Sequence, residues 1–348
     1  MPDFAFAIPG DLNLPTGGYA YDRRVIAGLK RLGWDCRHLR LPADFPKPSH
    51  ASLNETSRAL RSLPAESAVL FDGLAFGAVP AEVLDQQNHR YAALCHHPLS
   101  LEAGLAKADA EKLFHSERIA LSRARAVIVT SPATAEILAK DYGVARERIT
   151  AALPGTEPAP RAKGSGSAPL VLAAGAVVPR KRYPVLIQAL AAMRGLEWTC
   201  TIAGSLTRDA AEAEAVRGLI AAEELQQRVT LAGAVSDTEL AALYARAEVF
   251  ALASEYEGYG MVFAEALARG LPVVATSGGA IPGTVPRQAG LLVPPGDAPA
   301  FARALRRMVE SARERANFSD AAWAHARTLP RWDDTAKTIA GVLQQVSA

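Results

Sequence analysis

The chain has 348 residues, of which 49% are hydrophobic and 21% are charged. This composition is typical of a soluble globular protein with material for two domains, and it excludes disordered, collagen-like and coiled-coil classes. The 38 basic and 36 acidic side chains nearly cancel to a net charge of +2, which argues against nucleic acid as a partner.

Neither the start of the chain nor its cysteines indicate export. No run of 18 apolar residues occurs, so we expect no membrane-spanning helix. The first ten residues lack a basic segment and predict a strand rather than a signal peptide. Cys36, Cys95 and Cys200 are too few for a disulfide framework or a zinc site, and their apolar surroundings predict buried free thiols. We therefore expect a cytoplasmic protein.

Short apolar runs alternate with longer amphipathic segments along the first half of the chain. Strands are predicted at residues 4–8, 36–41, 68–71, 92–95, 126–130 and 149–153. Amphipathic helices are predicted between them, for example at 19–32 and 133–141. This alternation indicates βαβ units around a parallel sheet that is covered on both faces.

The composition changes near residues 155–168, where Pro158, Pro160 and the stretch 164–167 predict a turn-rich linker. Further strands are predicted at residues 170–174, 199–203, 229–232, 249–253, 272–275 and 291–293. We expect an α/β fold with two domains, 1–160 and 168–330, and a ligand between them at the carboxyl ends of the strands. A last amphipathic helix is predicted near 332–346. Its periodicity does not show whether it packs on the first domain or on the second.

The segment most informative about function, residues 257–265, follows an apolar strand and opens a helix. Its glycines allow close backbone approach, and the amides at the start of a helix suit a diphosphate. Glu257 and Glu265 are eight positions apart, and carboxylates suit sugar hydroxyls because each accepts two hydrogen bonds. Two glutamates on one helix more often lie on its solvent-exposed face. Here, however, the apolar residues around Glu265 predict that its carboxylate is buried and needs hydrogen-bonding partners.

Residues 257–265 resemble the E-x7-E motif of the GT4-like retaining glycosyltransferases (glycosyl transferases group 1) with the GT-B fold. The matching surroundings are 229–235, Glu239, Tyr244, 253–254, 270–274 and 278–279. The resemblance spans most of residues 168–300. It implies two Rossmann-like α/β/α domains that face each other across a cleft, the first for the acceptor and the second for a nucleotide-sugar donor.

The resemblance also implies roles for the residues of this motif. Glu257 would contact the donor sugar, and Glu265 would bind the ribose hydroxyls of the nucleotide. The loop around Val235 is similar to the one that lines the nucleobase. The backbone amides that would hold the diphosphate belong to Tyr259, Gly260, Met261 and Val262.

Three adjacent cations, Arg180, Lys181 and Arg182, follow the predicted strand 170–174. A run of charged residues usually lies on a solvent-exposed face of the protein. Cations at the carboxyl end of a strand can also neutralise a leaving diphosphate. Lys181 resembles the family's phosphate-binding lysine. Ala176 stands where many members carry an arginine, so either Arg180 or Arg182 would supply the second charge.

Two glycines and a histidine in the first half are further candidates. Gly17 and Gly18 open a predicted helix, and the family has a similar glycine pair facing the diphosphate, although a plain turn fits these residues equally well. His96 and His97 point to opposite faces of a strand, so they do not form a metal pair. The family often has a histidine here, close to the reaction centre, and His96 fits that place better than His97.

Together these features imply a metal-independent, retaining hexosyltransferase with Lys181, Glu257, His96 and Arg180 as catalytic candidates. It would move a sugar from a nucleotide-diphosphate donor, UDP-sugar being favoured over GDP-sugar, to a hydroxyl of a sugar, lipid, glycan or small molecule. No Asp-x-Asp motif occurs, which argues against a metal-clamped diphosphate, so no metal or other cofactor is expected.

Other interpretations remain open. A sugar-nucleotide 2-epimerase with the GT-B fold would interconvert nucleotide sugars without an acceptor. A non-catalytic nucleotide-sugar-binding module would fit the departures at Ala176 and at Gly283, where many relatives have an acid. The segment 101–125 mixes apolar and basic side chains; a surface helix is the favoured interpretation, and peripheral contact with the inner face of the plasma membrane is the alternative.

Overall fold

A computed structural model describes residues 3–86, 88–102, 104–166 and 168–348. Ser167, the last residue of the predicted linker, lies outside the described residues. The chain divides into two compact units. The first runs up to Gly155 and resumes at Pro330–Ala348, and the second is Thr156–Leu329.

The first unit is built on a sheet of six parallel strands. The strands are β1 (Asp3–Pro9), β2 (Asp35–Leu41), β3 (Ala68–Asp72), β4 (Arg90–Cys95), β5 (Ala126–Val129) and β6 (Ile149–Ala151). The helices are α1 (Gly17–Arg31), α2 (His50–Arg61), α3 (Gly73–Phe76), α4 (Ala81–Asp85), α5 (Lys107–Arg123) and α6 (Pro132–Lys140). The strand order is β2-β1-β3-β4-β5-β6.

The second unit also has six parallel strands, in the order β12-β11-β10-β7-β8-β9. They are β7 (Leu170–Ala174), β8 (Thr199–Ala203), β9 (Val229–Gly233), β10 (Val249–Leu252), β11 (Val273–Thr276) and β12 (Gly290–Val293). The helices are α7 (Tyr183–Ala191), α8 (Ala210–Ala222), α9 (Asp237–Arg246), α10 (Met261–Leu267), α11 (Ile281–Thr284), α12 (Ala298–Glu310) and α13 (Ala312–His325). The last helix, α14 (Trp332–Ser347), belongs to the first unit.

Both faces of the first sheet are covered, each by its own apolar cluster. Helix α14 contributes Ile339 and Leu343 to one of these clusters. It packs closely against α1, where a Cβ on Gly28 would lie 2.6 Å from the Cβ of Ala336. A glycine is therefore needed at this helix contact, because a larger residue would separate the two helices.

The twelve predicted strands are all present, and their bounds differ from the prediction by no more than two residues at either end. Strands buried on both faces are nearly continuous apolar runs, which is why the sequence identifies them. The predicted α/β class with two parallel sheets is confirmed. The prediction that all three cysteines are buried is wrong for Cys36, which is half-buried on the edge strand β2.

The strand order locates the places where ligands bind in such sheets. In the second sheet the chain reverses direction across the sheet between the neighbouring strands β7 and β10, and in the first sheet between β1 and β3. Crevices outside the carboxyl ends of strands at these switch points are the usual binding sites of open α/β sheets. The loops that follow these strands therefore carry the candidate site residues.

Candidate functional site

Two loops of the second unit bring opposite charges together at the switch point. The loop after β7 carries Arg180 and Lys181 on a single 3₁₀ turn, and the loop after β10 carries Glu257. Lys181 Nζ lies 2.5 Å from Glu257 Oε1, and Arg180 Nη1 lies 3.3 Å from Glu257 Oε2. Each carboxylate oxygen of Glu257 therefore faces one cation. We call these three side chains the charge cluster.

The charge cluster is largely shielded from water. The side chains of Lys181 and Glu257 are 8% and 9% exposed, and that of Arg180 is 30% exposed. Burial raises the pKa of Glu257, but the charges of Lys181 and Arg180 outweigh it and lower the pKa to about 2. Burial lowers the pKa of Lys181, and Glu257 partly offsets that effect. Glu257 is therefore an anion at neutral pH and a weak base.

Arg182 has a different partner. Its backbone is left-handed, with φ at 51°, and its Nη2 lies 2.9 Å from Glu255 Oε2, where both side chains are about half exposed. Exposed ion pairs of this kind contribute little to stability. Of the two arginines that could replace the one missing at Ala176, Arg180 is the one next to Glu257.

A pair of glycines supports the loop that carries Glu257. A Cβ on Gly279 would overlap the carbonyl oxygen of Glu257, and one on Gly278 would overlap that of Glu255. The amide of Ala280 donates to the Glu257 carbonyl at 2.8 Å. Side chains at either glycine would push the loop away, so this pair fixes the position of Glu257.

Helix α10 begins directly after this loop, with Gly260 as its N-cap. The φ of Gly260 is 87°, and a Cβ there would lie 2.6 Å from Phe263 Cδ2, so only glycine fits without strain. Tyr259 and Gly260 are buried, while Met261 and Val262 are half-buried. The first amides of a helix have no partners within it, so the turn presents N–H donors.

The prediction that Glu265 is buried is wrong, since it is half-buried. The apolar residues of α10 occupy its buried face, which leaves Glu265 at the margin of that face. The hydroxyl of Tyr244 donates to Glu265 Oε2 at 3.0 Å, and the guanidinium of Arg269 lies over the Tyr244 ring, 4.5 Å from its centroid. These neighbours hold one carboxylate oxygen in place.

Val235 is half-buried in the loop between β9 and α9. The loop is fixed by a capping box, in which Ser236 and Glu239 bond each other's backbone amides. Strand β9 is separated from β7 by β8, so Val235 follows a strand two places away from the one that leads to Lys181.

The structure brings Gly18 and His96 of the first unit together. A Cβ on Gly18 would lie 3.4 Å from His96 Cδ2, and Gly17 is the first residue of α1. His96 Nε2 lies 3.3 Å from Asp22 Oδ1 and 3.7 Å from Asp72 Oδ2. The predicted site residues Gly18 and His96 are therefore neighbours, and His96 also lies next to the carboxylates of Asp22 and Asp72.

Sequence reasoning misses Asp22 and Asp72. Asp72 ends the buried strand β3, a recognisable signal, and its Oδ1 accepts a hydrogen bond from the amide of Leu74 at 2.7 Å. Asp22 is fully buried on α1 and carries no such signal. Among the described residues, the facing atoms of Asp22, Asp72 and His96 lie within 4.8 Å of one another and could hold a metal ion. His97 differs, with Nε2 3.1 Å from Glu102 Oε2.

A cavity of about 380 Å³ opens beside the loop that follows β1. It is lined by Gly10, Asp11, Leu12, Asn13, His38 and Arg40. Both charge signs and an amide are present, so the cavity suits a polar ligand with hydroxyl groups.

None of the described helices is long and apolar enough to cross a membrane.

Comparison with known proteins relates the second unit to a family. Residues 157–325 match the model for glycosyl transferases group 1. The chain is 27% identical to the MMP alpha-(1->4)-mannosyltransferase of Mycolicibacterium hassiacum, in an alignment that covers 88% of this chain and 77% of that relative. Two further curated relatives align over only 38% of their own length.

Solved structures show the same fold. Sucrose-phosphate synthase from Thermosynechococcus elongatus matches with a TM-score of 0.85 at 24% identity, over 99% of both chains. Anabaena Alr3699/HepE in complex with UDP and glucose matches with a TM-score of 0.79 at 18% identity, over 98% of this chain and 99% of that one. Residues 157–325 are therefore similar to the glycosyl transferases of group 1, and the chain has the GT-B fold.

Proposed function

We propose that the protein is a retaining, metal-independent glycosyltransferase that transfers a sugar from a nucleotide-diphosphate donor, preferably a UDP-sugar, to a hydroxyl acceptor. The observation that carries this proposal is the charge cluster at the carboxyl ends of β7 and β10. Two findings support it: a relative named as a mannosyltransferase, and a structural neighbour solved with UDP and glucose.

Lys181 and Arg180 would stabilise the departing diphosphate. Both cations lie in a shielded position, where a fixed charge acts more strongly than in water. With the donor bound, its phosphate oxygens would share these cations with Glu257, and the Glu257 carboxylate would accept hydrogen bonds from the donor sugar. The backbone amides of residues 259–262 would add further donors. Protein groups thus take the place of a metal ion.

Retention is supported by the weak basicity of the Glu257 carboxylate, which is deprotonated at neutral pH. An inverting transfer needs a base opposite the leaving group, and a carboxyl with a pKa of about 2 is a weak base at neutral pH. In the proposed reaction the bond from the sugar carbon to the diphosphate oxygen breaks, and the acceptor oxygen bonds to the same face. The acceptor proton passes to the departing diphosphate.

The remaining predicted residues would bind the nucleotide and the acceptor. Glu265, held by Tyr244, would accept the ribose hydroxyls, and Val235 would line the base. We assign the acceptor to the first unit, where the cavity beside Asp11 and Arg40 suits a sugar or the polar headgroup of a lipid.

The proposal is tested with the full chain, a panel of UDP-, GDP- and ADP-sugars, and sugar and lipid acceptors, with EDTA present. We expect acceptor-dependent release of UDP that EDTA does not inhibit, and a product with the donor's anomeric configuration by NMR. Inversion, or activity only with added metal, would contradict the mechanism. Conversion of the donor without an acceptor would identify an epimerase, and donor binding without turnover would identify a binding module.

A further inference from the structure

The loop that follows β8, residues 204–209, lies directly against the loop that follows β7. The amide of Val177 donates a hydrogen bond to the carbonyl oxygen of Ser205 at 2.9 Å. A Cβ on Gly204 would overlap the carbonyl oxygen of Gly175, so the two backbones pack without a side chain between them. We call residues 204–209 the β8 loop. Backbone contacts therefore fix its position beside the loop that carries Lys181.

Gly175 also borders the charge cluster. A Cβ on this glycine would lie 3.2 Å from Lys181 Cε and 3.5 Å from Lys181 Nζ. The hydroxyl of Tyr183 donates to the Gly175 carbonyl at 2.7 Å and holds this part of the backbone in place. One glycine thus contacts both the β8 loop and the Lys181 side chain. A long side chain on the β8 loop can therefore reach a phosphate that Lys181 binds.

Arg208 is the cation of the β8 loop. Its side chain is exposed and makes no hydrogen bond or ion pair with another residue that the structure describes. The carboxylate of the neighbouring Asp209 is already engaged, because it caps helix α8 by accepting the amide hydrogen of Glu212 at 3.0 Å. Burial lowers the pKa of Lys181, and the charges of Arg180 and Arg208 lower it further. The guanidinium of Arg208 is therefore within electrostatic reach of Lys181 and available to an anion.

The charge cluster alone does not balance a nucleotide-diphosphate donor. Lys181 and Arg180 carry two positive charges, and Glu257 cancels one of them. A nucleotide sugar carries one negative charge on each of its two phosphates at neutral pH, so the cluster is one positive charge short. Arg182 already pairs with an exposed carboxylate. Arg208, on the adjoining loop, has the charge that is missing and no protein partner among the described residues.

From this arrangement we infer that Arg208 is a further donor-binding residue, whose guanidinium binds the diphosphate together with Lys181 and Arg180. A planar guanidinium can offer two parallel N–H donors to one phosphate, which an ammonium group cannot. The cations would then hold the diphosphate from two loops, those after β7 and β8. This inference rests on the proposed function, because it takes a nucleoside diphosphate as the ligand of the charge cluster.

The test measures binding rather than turnover, and it uses the full chain. UDP, GDP and ADP are titrated by calorimetry, and the corresponding nucleosides, which lack the phosphates, by ligand-observed NMR. In Arg208→Gln we expect the Kd of the nucleoside diphosphate that binds the wild type to rise about 10–100-fold, because a charged hydrogen bond is lost. The Kd of the matching nucleoside should stay unchanged, since it has no phosphate for Arg208 to bind.

The matched control is Arg217→Gln, which changes an exposed arginine on α8 that pairs with Glu214. This control should leave every Kd unchanged. Two further variants test whether the charge of Arg208 is responsible. Arg208→Glu should weaken diphosphate binding more than Arg208→Gln does, and Arg208→Lys should retain part of it. Because Arg208 is exposed, all these variants should keep the wild-type Tm.

The remaining outcomes also decide. An unchanged Kd for the nucleoside diphosphate in Arg208→Gln would overturn the inference and leave the proposed function standing. Equal losses for the nucleoside and its diphosphate would overturn it too, because Arg208 would then act on the base, the ribose or the fold. Diphosphate binding that depends on Arg208, without transfer to any acceptor, would refute the proposed transferase and keep the binding role. If no nucleoside diphosphate binds the wild type, both proposals are refuted.

Discussion

Replacing Lys181 with methionine should separate the structural role of the charge cluster from its catalytic role. Methionine follows the aliphatic part of the lysine side chain, so the main change is the loss of one buried charge. Glu257 is then left 9% exposed with Arg180 as its only partner in the cluster, at 3.3 Å. We expect lower stability and lower turnover, for different reasons.

The size of the stability effect follows from two independent considerations. Breaking a buried ion pair by removing one partner costs about 3–5 kcal/mol. A pKa of Glu257 lowered from 4.5 to about 2 corresponds to about 3 kcal/mol of stabilisation at neutral pH. For a unit of this size, a loss of about 3 kcal/mol lowers Tm by about 6–12 °C. If Lys181 stabilises the departing diphosphate as proposed, the loss of its fixed charge should lower kcat by about 10²–10³-fold.

The matched control is the double variant Lys181→Met/Glu257→Gln. Removing both charges should restore much of the lost stability, because no buried charge is left uncompensated, whereas kcat should stay low. Because the folded-state pKa of Glu257 is lowered, its stabilisation is present above pH 4.5 and is lost as the pH falls towards 2. The double variant should lack this loss.

Thermal unfolding between pH 2 and pH 8, together with steady-state kinetics, measures these effects. Equal stability losses in the single and double variants would refute the assignment of stability to the ion pair. Wild-type turnover in Lys181→Met would refute the assignment of Lys181 to the leaving diphosphate.

Three further predictions concern the nucleotide half of the site and its glycines. Glu265→Gln should raise the donor KM about 10–100-fold with kcat little changed, because the charged hydrogen bonds that we propose Glu265 makes to the ribose would be lost in ground and transition states alike. Tyr244→Phe should raise the same KM about 5-fold, since one neutral hydrogen bond to Glu265 disappears; no change in either KM would contradict the assignment of Glu265. Gly260→Ala should cost about 1–3 kcal/mol, because its φ is 87° and Phe263 blocks the added methyl group, whereas Gly283→Ala, with open space around it, should change the unfolding free energy by less than about 0.5 kcal/mol. If chemical denaturation gave the same change in unfolding free energy for Gly260→Ala and Gly283→Ala, the turn at Gly260 would not require a glycine.

The sequence predicts where strands and helices lie along the chain better than it predicts which of them lie side by side in the fold. A strand such as Leu170–Ala174 is buried on both faces, so it is recognisable as an apolar run without knowledge of the fold. The meeting of Lys181 with Glu257 depends on β7 lying next to β10, and strand order is not encoded in any local pattern. Only the resemblance to a family brings these residues together before the structure does.

Burial of single polar residues is predicted less well. Glu265 has apolar neighbours along the chain, but its position at the margin of a seven-residue helix leaves it half exposed. Asp22 shows the reverse, since it lies among polar and basic residues of α1 and is fully buried. In both cases the deciding contacts come from other elements: Tyr244 for Glu265, and His96 for Asp22.

The return of helix α14 to the first unit has a consequence for biosynthesis. Ile339, Leu343 and Val346 fill one face of a core whose other members, such as Phe6 and Ile8, lie near the start of the chain. On the ribosome, residues up to Gly155 emerge before the whole second unit, and until α14 follows, their apolar face stays uncovered. The second unit, Thr156–Leu329, is continuous and can form its core as soon as it is made. Nascent chains that stop before Trp332 should therefore be the ones that bind chaperones or aggregate.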